Sequence, residues 1–152
     1  MPTTSTELRV GIVGSRRRAT AFDRDVVFSI VEGLIKCARK LERKLVLVSG
    51  ACKIGADAFA KEAADAFGVE IIEHPVDEGK LSAPGNHARR WEFTKLAHAR
   101  NELIARDSHD ALFALVSDDR TGGTENTIGH YRKLKGEGTG KLYLVGYDGK
   151  LL

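Results

Sequence analysis

Leu8-Arg9-Val10-Gly11-Ile12-Val13-Gly14 is a short, almost continuously apolar run that ends on glycine and passes straight into Ser15-Arg16-Arg17-Arg18. A run so short and so rich in branched side chains reads as a strand covered on both faces. Four similar runs follow: KLVLVSG (44–50), VEIIEHP (69–75), ALFALVS (111–117) and KLYLVGY (141–147). Each is separated from the one before by an amphipathic stretch long enough for a helix. A right-handed crossover between parallel strands lays its helix against the sheet. The pattern therefore predicts an α/β fold, a three-layer, doubly wound Rossmann-like sandwich with a mainly parallel five-stranded sheet.

The helices carry their own marks. In the first, Phe22, Val26, Ile30 and Leu34 recur every four residues, with Val27, Val31 and Ile35 beside them. Asp23 and Asp25 at its start and Arg39 and Lys40 at its end suit the helix dipole. The second, 55–67, is rich in alanine and stops at Gly68, a residue suited to a left-handed cap. The third carries an apolar stripe of Phe93, Leu96, Leu103 and Ile104, and the core face of the fourth should hold Ile128, Tyr131 and Leu134.

A chain of 152 residues with 42% hydrophobic and 30% charged side chains fits one globular domain. We assign 1–7 to a polar, flexible leader and 8–152 to the domain. No apolar run approaches the roughly 18–20 residues that span a bilayer, and the start lacks the charged-then-apolar order of a signal peptide. These features predict a cytoplasmic protein with no membrane partner. Cys37 and Cys52 have no metal-ligand or redox spacing and read as structural thiols. The stretch 76–86, broken by Gly79, Pro84 and Gly85, reads as a flap or a long loop.

In a doubly wound sheet, ligands bind beyond the carboxyl ends of the strands. The residues just past strands one, two and four are also the densest in glycine and small polar side chains. Gly14, Ser15 and Arg16 can offer backbone N–H groups, a hydroxyl and a guanidinium to an anion, with Arg17 and Arg18 as further candidates. In Ser49-Gly50-Ala51-Cys52-Lys53-Ile54-Gly55-Ala56-Asp57, Ser49, Gly50 and Gly55 allow close backbone approach. Asp57 either contacts ligand or complements the helix dipole. Gly122, Gly123 and Thr124 stand at the start of the fourth helix, where Thr124 either caps the helix or meets a phosphate. Arg100 interrupts the apolar stripe of the third helix, so it needs a carboxylate, a route to solvent or a place in the site. Asn101 stands beside it. Trp91 and Phe93 are expected to pack. His87, His98 and His109 lack ligand-like spacing, so no metal and no cofactor are assigned.

Taken in order, VGIVGSR, SGACKIGADAFAKEA, the turn after VEIIEHP, ARNELIARDSHDALFALV and TGGTENTI resemble the SLOG superfamily. This is the Rossmann-like fold shared by DprA and the LOG, or lysine decarboxylase-like, proteins. The likeness runs over 8–146 and is greatest to the small stand-alone YspA/YpsA-like and LOG members. It implies a nucleotide pocket formed by 14–16, 49–57, Arg100 with Asn101, and 122–124, and a homodimer or higher homo-oligomer. In LOG enzymes a PGGxGTxxE motif brings a carboxylate to the ribose, while an arginine on the preceding helix assists loss of the base. Gly123 and Thr124 match its GT and Arg100 its arginine, but Asp119, Arg120 and Thr121 replace PGG and Thr127 replaces the glutamate.

The leading expectation is therefore a module that binds a nucleotide or nucleotide-derived small molecule as a sensor. The alternative is a nucleoside monophosphate N-glycosidase (phosphoribohydrolase), with Arg100, Glu125 and Asp57 as its catalytic candidates. Nucleic acid is the third partner considered, through DprA-like binding of single-stranded DNA along Arg16–Arg18. It is not favoured, because aromatics are only 7% of the chain and few lie near the basic run.

Overall fold

The computed structural model describes residues 6–76, 86–135 and 141–152, with 86–90 described as helical backbone. The expected loop at 76–86 and the side chain of His87 lie almost wholly outside the described residues. In chain order the elements are β1 (Glu7–Gly14), α1 (Ala21–Leu41), β2 (Lys44–Ser49), α2 (Ala56–Phe67), β3 (Glu70–Glu73), α3 (Asn86–Asp107), β4 (Ala111–Leu115), α4 (Gly123–Lys135) and β5 (Lys141–Val145). β1 takes in Glu7, the last residue assigned to the leader, and β3 is shorter than the run that predicted it.

The five strands are all parallel, in the order β3-β2-β1-β4-β5. Because side chains alternate across a strand, Leu8, Val10 and Ile12 of β1 join Val27 and Val31 of α1 and the alanines of α2 in one core. Val13 turns to the opposite face and packs with Ile104 and Ala105 of α3 and Ile128 and Tyr131 of α4. These are the three layers that the alternating pattern predicts. Gly68 ends α2 in the left-handed conformation, as expected. Among the described residues, no helix is long and apolar enough to cross a membrane.

Several side chains depart from the periodic reading. Phe22, Leu103 and Leu134, expected on core stripes, are exposed, and Trp91 is 66% exposed rather than packed. Phe22 lies at the start of α1 and Leu134 at the end of α4. Cys37, expected to be structural, is exposed, and Cys52 is partly exposed.

Arg18 departs furthest. It was a candidate ligand contact, yet it is 0% exposed. Its Nε donates to Asp23 Oδ1 at 2.9 Å, Nη1 to the carbonyls of Val116 and Val145 at 3.0 and 2.8 Å, and Nη2 to that of Gly146 at 2.8 Å. Tyr147 covers the guanidinium, 4.4 Å from its ring centroid. Asp23 closes a capping box with Thr20: Thr20 Oγ1 accepts from the Asp23 amide, and Asp23 Oδ2 accepts from the Thr20 amide. One buried cation thus ties the start of α1 to the carboxyl ends of β4 and β5.

Removing one partner of a buried, hydrogen-bonded pair strands the other. Arg18→Leu is expected to lower the unfolding free energy by about 3–5 kcal/mol, a fall in Tm of roughly 10 °C for a domain of this size. Arg16→Ala, two positions away and exposed, is expected to change it by less than about 0.5 kcal/mol. Urea and thermal melts of both variants check this; similar losses for the two would contradict the assignment.

Candidate functional site

From β1 the chain turns through α1 to β2 on one side, and from β3 it crosses through α3 to β4 on the other. The order of the strands therefore reverses between β1 and β4. Connections leaving to opposite faces open a crevice beyond such a pair. Here Gly14 pairs with Leu115 as the last register position, and the Ser15 amide donates to the Leu115 carbonyl at 3.0 Å. Beyond this point lies a cavity of about 370 Å³.

The turn after β1 supplies Gly14, Ser15, Arg16 and Arg17 to its lining. Arg16 is exposed and makes no hydrogen bond or ion pair with any of the described residues. Arg17 instead donates to Asp119 Oδ2 at 2.7 Å, bridging the turn after β1 to the loop after β4. Gly55 lies beneath this turn, where an added Cβ would come within 3.2 Å of the Ser15 carbonyl oxygen. It supports the site from below and does not line it.

The loop after β2 and helix α3 form the deeper wall. Asp57, 9% exposed, accepts from the Cys52 amide at 3.1 Å. Arg100 points inward, as the interrupted stripe suggested: Nη1 donates to the carbonyls of Gly50 and His74, and Nε to Asn101 Oδ1 at 2.9 Å. A side chain at position 50 would crowd the ends of Arg100 and Asp57. A Cβ there would lie 2.8 Å from both Arg100 Nη1 and Asp57 Oδ2. Ser49 and Gly50 therefore build the wall through their backbone, since the Ser49 carbonyl accepts from the His74 amide at 2.9 Å and neither residue lines the cavity. Burial pushes the Asp57 carboxyl up to about 6, against the amides of Cys52 and Gly50 and the charge of Arg100, which favour the anion. Burial likewise lowers Arg100 from its ordinary value, with Asp57 opposing.

The third wall is the loop from β4 to α4. Asp119 Oδ1 accepts from Ser117 Oγ and Thr121 Oγ1, both at 2.9 Å. These bonds and the one from Arg17 hold its carboxyl well below the usual range. Gly122, at φ +99°, turns the chain into α4, and the Asn126 amide is the first to bond back, to Gly122 at 3.3 Å. The amides of Gly123, Thr124 and Glu125 precede that bond and have no intrahelical acceptor. Thr124 is the second residue of α4, so it is not the cap. Its side chain is 8% exposed, lines the cavity and makes no hydrogen bond with the described residues. Asn101, 4% exposed, donates to the Gly123 carbonyl and Asn126 Oδ1 and fixes this helix start against α3.

Glu125, a catalytic candidate, is not brought to the cavity: Arg120 grips both its oxygens, Nε at 2.8 Å and Nη2 at 3.0 Å. Thr127, at the position of the LOG glutamate, does line the cavity, and its hydroxyl donates to the Gly123 carbonyl at 3.1 Å. Asp57 is the sole carboxylate among the described lining residues. Among the lining residues not read as site residues are Cys52, Phe93, Ala97 and His98. The last three lie three, four or seven positions before Arg100 and Asn101, a helical spacing that could have found them. No group of three or more His, Cys, Asp or Glu able to hold a metal occurs among the described residues. No protein-family model and no curated protein matches the chain.

The raised Asp57 value sets a pH dependence with a definite sign. Between its ordinary 3.8 and about 6 the folded protein holds a proton that the unfolded chain has released. The stabilisation is thus complete below the lower value and lost as pH rises through the upper one. Asparagine cannot ionise and escapes that loss. The stability of Asp57→Asn relative to the parent is expected to rise by on the order of 2–3 kcal/mol from about pH 4 to about pH 7.5. Chemical denaturation at each pH checks this; a difference that stays constant would contradict it.

Proposed function

We propose that the protein binds a nucleotide or nucleotide-derived small molecule in the crevice between β1 and β4, as a SLOG-like module. The observation that carries this reading is convergence on one cavity. The guanidinium of Arg16 and the hydroxyl of Thr124, neither bonded to any of the described residues, and the open first-turn amides of α4 meet there. A cation and a helix N-terminus together favour an anion such as phosphate. Phe93, Ala97 and Ile104 offer apolar surface along the α3 wall for the rest of the molecule. A cavity of about 370 Å³ lies within the range of small-molecule sites.

Hydrolysis of nucleoside monophosphates is the second reading, favoured by Asp57, a lining carboxyl raised to about 6 beside Arg100. It has lost the other carboxylate: Glu125 is held by Arg120, and Thr127 is spent on the backbone. Single-stranded DNA binding is weakened further, because Arg18 is in the core and Arg17 is paired with Asp119. Self-association rests on the resemblance alone.

Isothermal titration with the nucleoside mono-, di- and triphosphates tests the proposal. At least one is expected to bind, with Arg16→Ala weakening it about tenfold or more, the worth of a charge-assisted hydrogen bond. Thr124→Val should weaken it less. Chromatography of the same mixtures separates binding from turnover, since a free base would establish the hydrolase. Failure of the whole series to bind would refute the nucleotide reading.

A further inference from the structure

Asp57 is the discordant residue of a cationic cavity. The guanidiniums of Arg16 and Arg100 and the amino end of α4 all raise the local potential, yet a carboxyl stands among them with only 9% of its residue surface exposed. Arg100 favours its charged form only from a distance. The inward Nη1 of Arg100 is taken up by the Gly50 and His74 carbonyls, and no ion pair within 4 Å joins the two side chains. Asp57 accepts a hydrogen bond from the amide of Cys52 in its own loop.

The charged and titratable groups around it come from every neighbouring element. Arg100 faces it from α3, with His98 on the same cavity wall. Glu73, at the end of β3, adds a like charge that disfavours its ionisation. Cys52 adjoins it in the β2–α2 loop, and Arg16 borders the cavity from the turn after β1. An anion entering this space adds a second negative charge inside a partly desolvated enclosure. Like charges there repel far more strongly than in water.

Resting on the nucleotide-anion reading above, we infer that Asp57 determines the charge state in which the cavity accepts its ligand: the anion binds together with one proton, which the Asp57 carboxyl holds. In the bound state Asp57 is then a neutral acid, able to donate a hydrogen bond into the cavity. Thr124, a buried residue whose hydroxyl bonds to none of the described residues, lines the same cavity and can offer that hydroxyl to a polar ligand. Because the free protein already holds this carboxyl near 6, little displacement of its titration is needed around neutral pH.

The test uses adenosine 5′-monophosphate, titrated calorimetrically into the parent and Asp57→Asn between about pH 5.5 and 8. At pH 7 it is repeated in two buffers of different ionisation enthalpy. Arginines favour the phosphate as dianion, so the ligand's own group, with its second pKa near 6, releases protons on binding. Uptake therefore has the opposite sign and reports on the protein. The expected result is net proton uptake by the parent at pH 7 that is absent in Asp57→Asn. From about pH 6 to about pH 7.5, the parent's affinity should also fall about tenfold relative to the variant's. The two-buffer measurement needs the parent alone, so the proposal stays testable if the variant does not fold.

Binding by the parent with proton release, or with no exchange, would overturn the proposal and leave the nucleotide reading standing. So would identical pH profiles for the two proteins; that result would mean a ligand hydroxyl or amine donates to an ionised Asp57. No binding even at pH 5.5, where the cavity is most cationic, would overturn the nucleotide reading and this proposal together.

Discussion

The buried guanidinium of Arg18 holds the carboxyl end of this sheet together. Three carbonyls leaving β4 and β5 converge on it, and Asp23 balances its charge from the first turn of α1. Buried carbonyls and a buried carboxylate would each be costly alone, but together they satisfy one another. The arrangement also fixes where α1 begins, and so where the turn after β1 must run. Ser15, Arg16 and Arg17 stand at the mouth of the crevice because the next residue is pinned behind them.

Neighbouring arginines therefore have unlike tasks. Arg18 closes the fold, Arg17 joins the two loops across the crevice through Asp119, and Arg16 alone of the three keeps its donors unused among the described residues. Arg100 approaches from the opposite layer and braces the ends of β2 and β3 through their carbonyls. The site is thus built on braced backbone, with Gly50 leaving the space in which Arg100 and Asp57 come close. An anion arriving there would meet groups already in position, which reduces the ordering cost of binding.

The fold could be read in the sequence because burial imposes simple periods. Five short apolar runs and the helical spacing of Val27, Val31 and Ile104 leave few ways to cover the sheet. The strand-end rule pointed to the same crevice, whose lining includes Gly14, Ser15, Arg16, Asp57, Arg100, Asn101 and Gly122–Thr124. Composition could not divide Arg16 from Arg18, since the difference depends on where a three-residue turn aims each side chain. One local sign was available: Thr20 and Asp23 have the spacing of a capping box, and a capping aspartate that is also buried needs a cation. Glu125 lies outside the cavity lining for a related reason. It stands at the start of α4 as read, but its carboxylate is held by Arg120, five residues before it and itself at φ +53°.

The central claim is that the open amides at the start of α4 and the turn after β1 form one anion-binding surface. Backbone amide NMR reads those groups individually. On titration with adenosine 5′-monophosphate, the amides of Ser15, Arg16, Gly123 and Thr124 should move together along one saturable curve, while those lining the groove near Ile35, Phe67 and Val69 at the other end of the sheet stay still. Saturable shifts confined to that far groove, or no shifts at Gly123 and Thr124 when the ligand binds, would contradict the account.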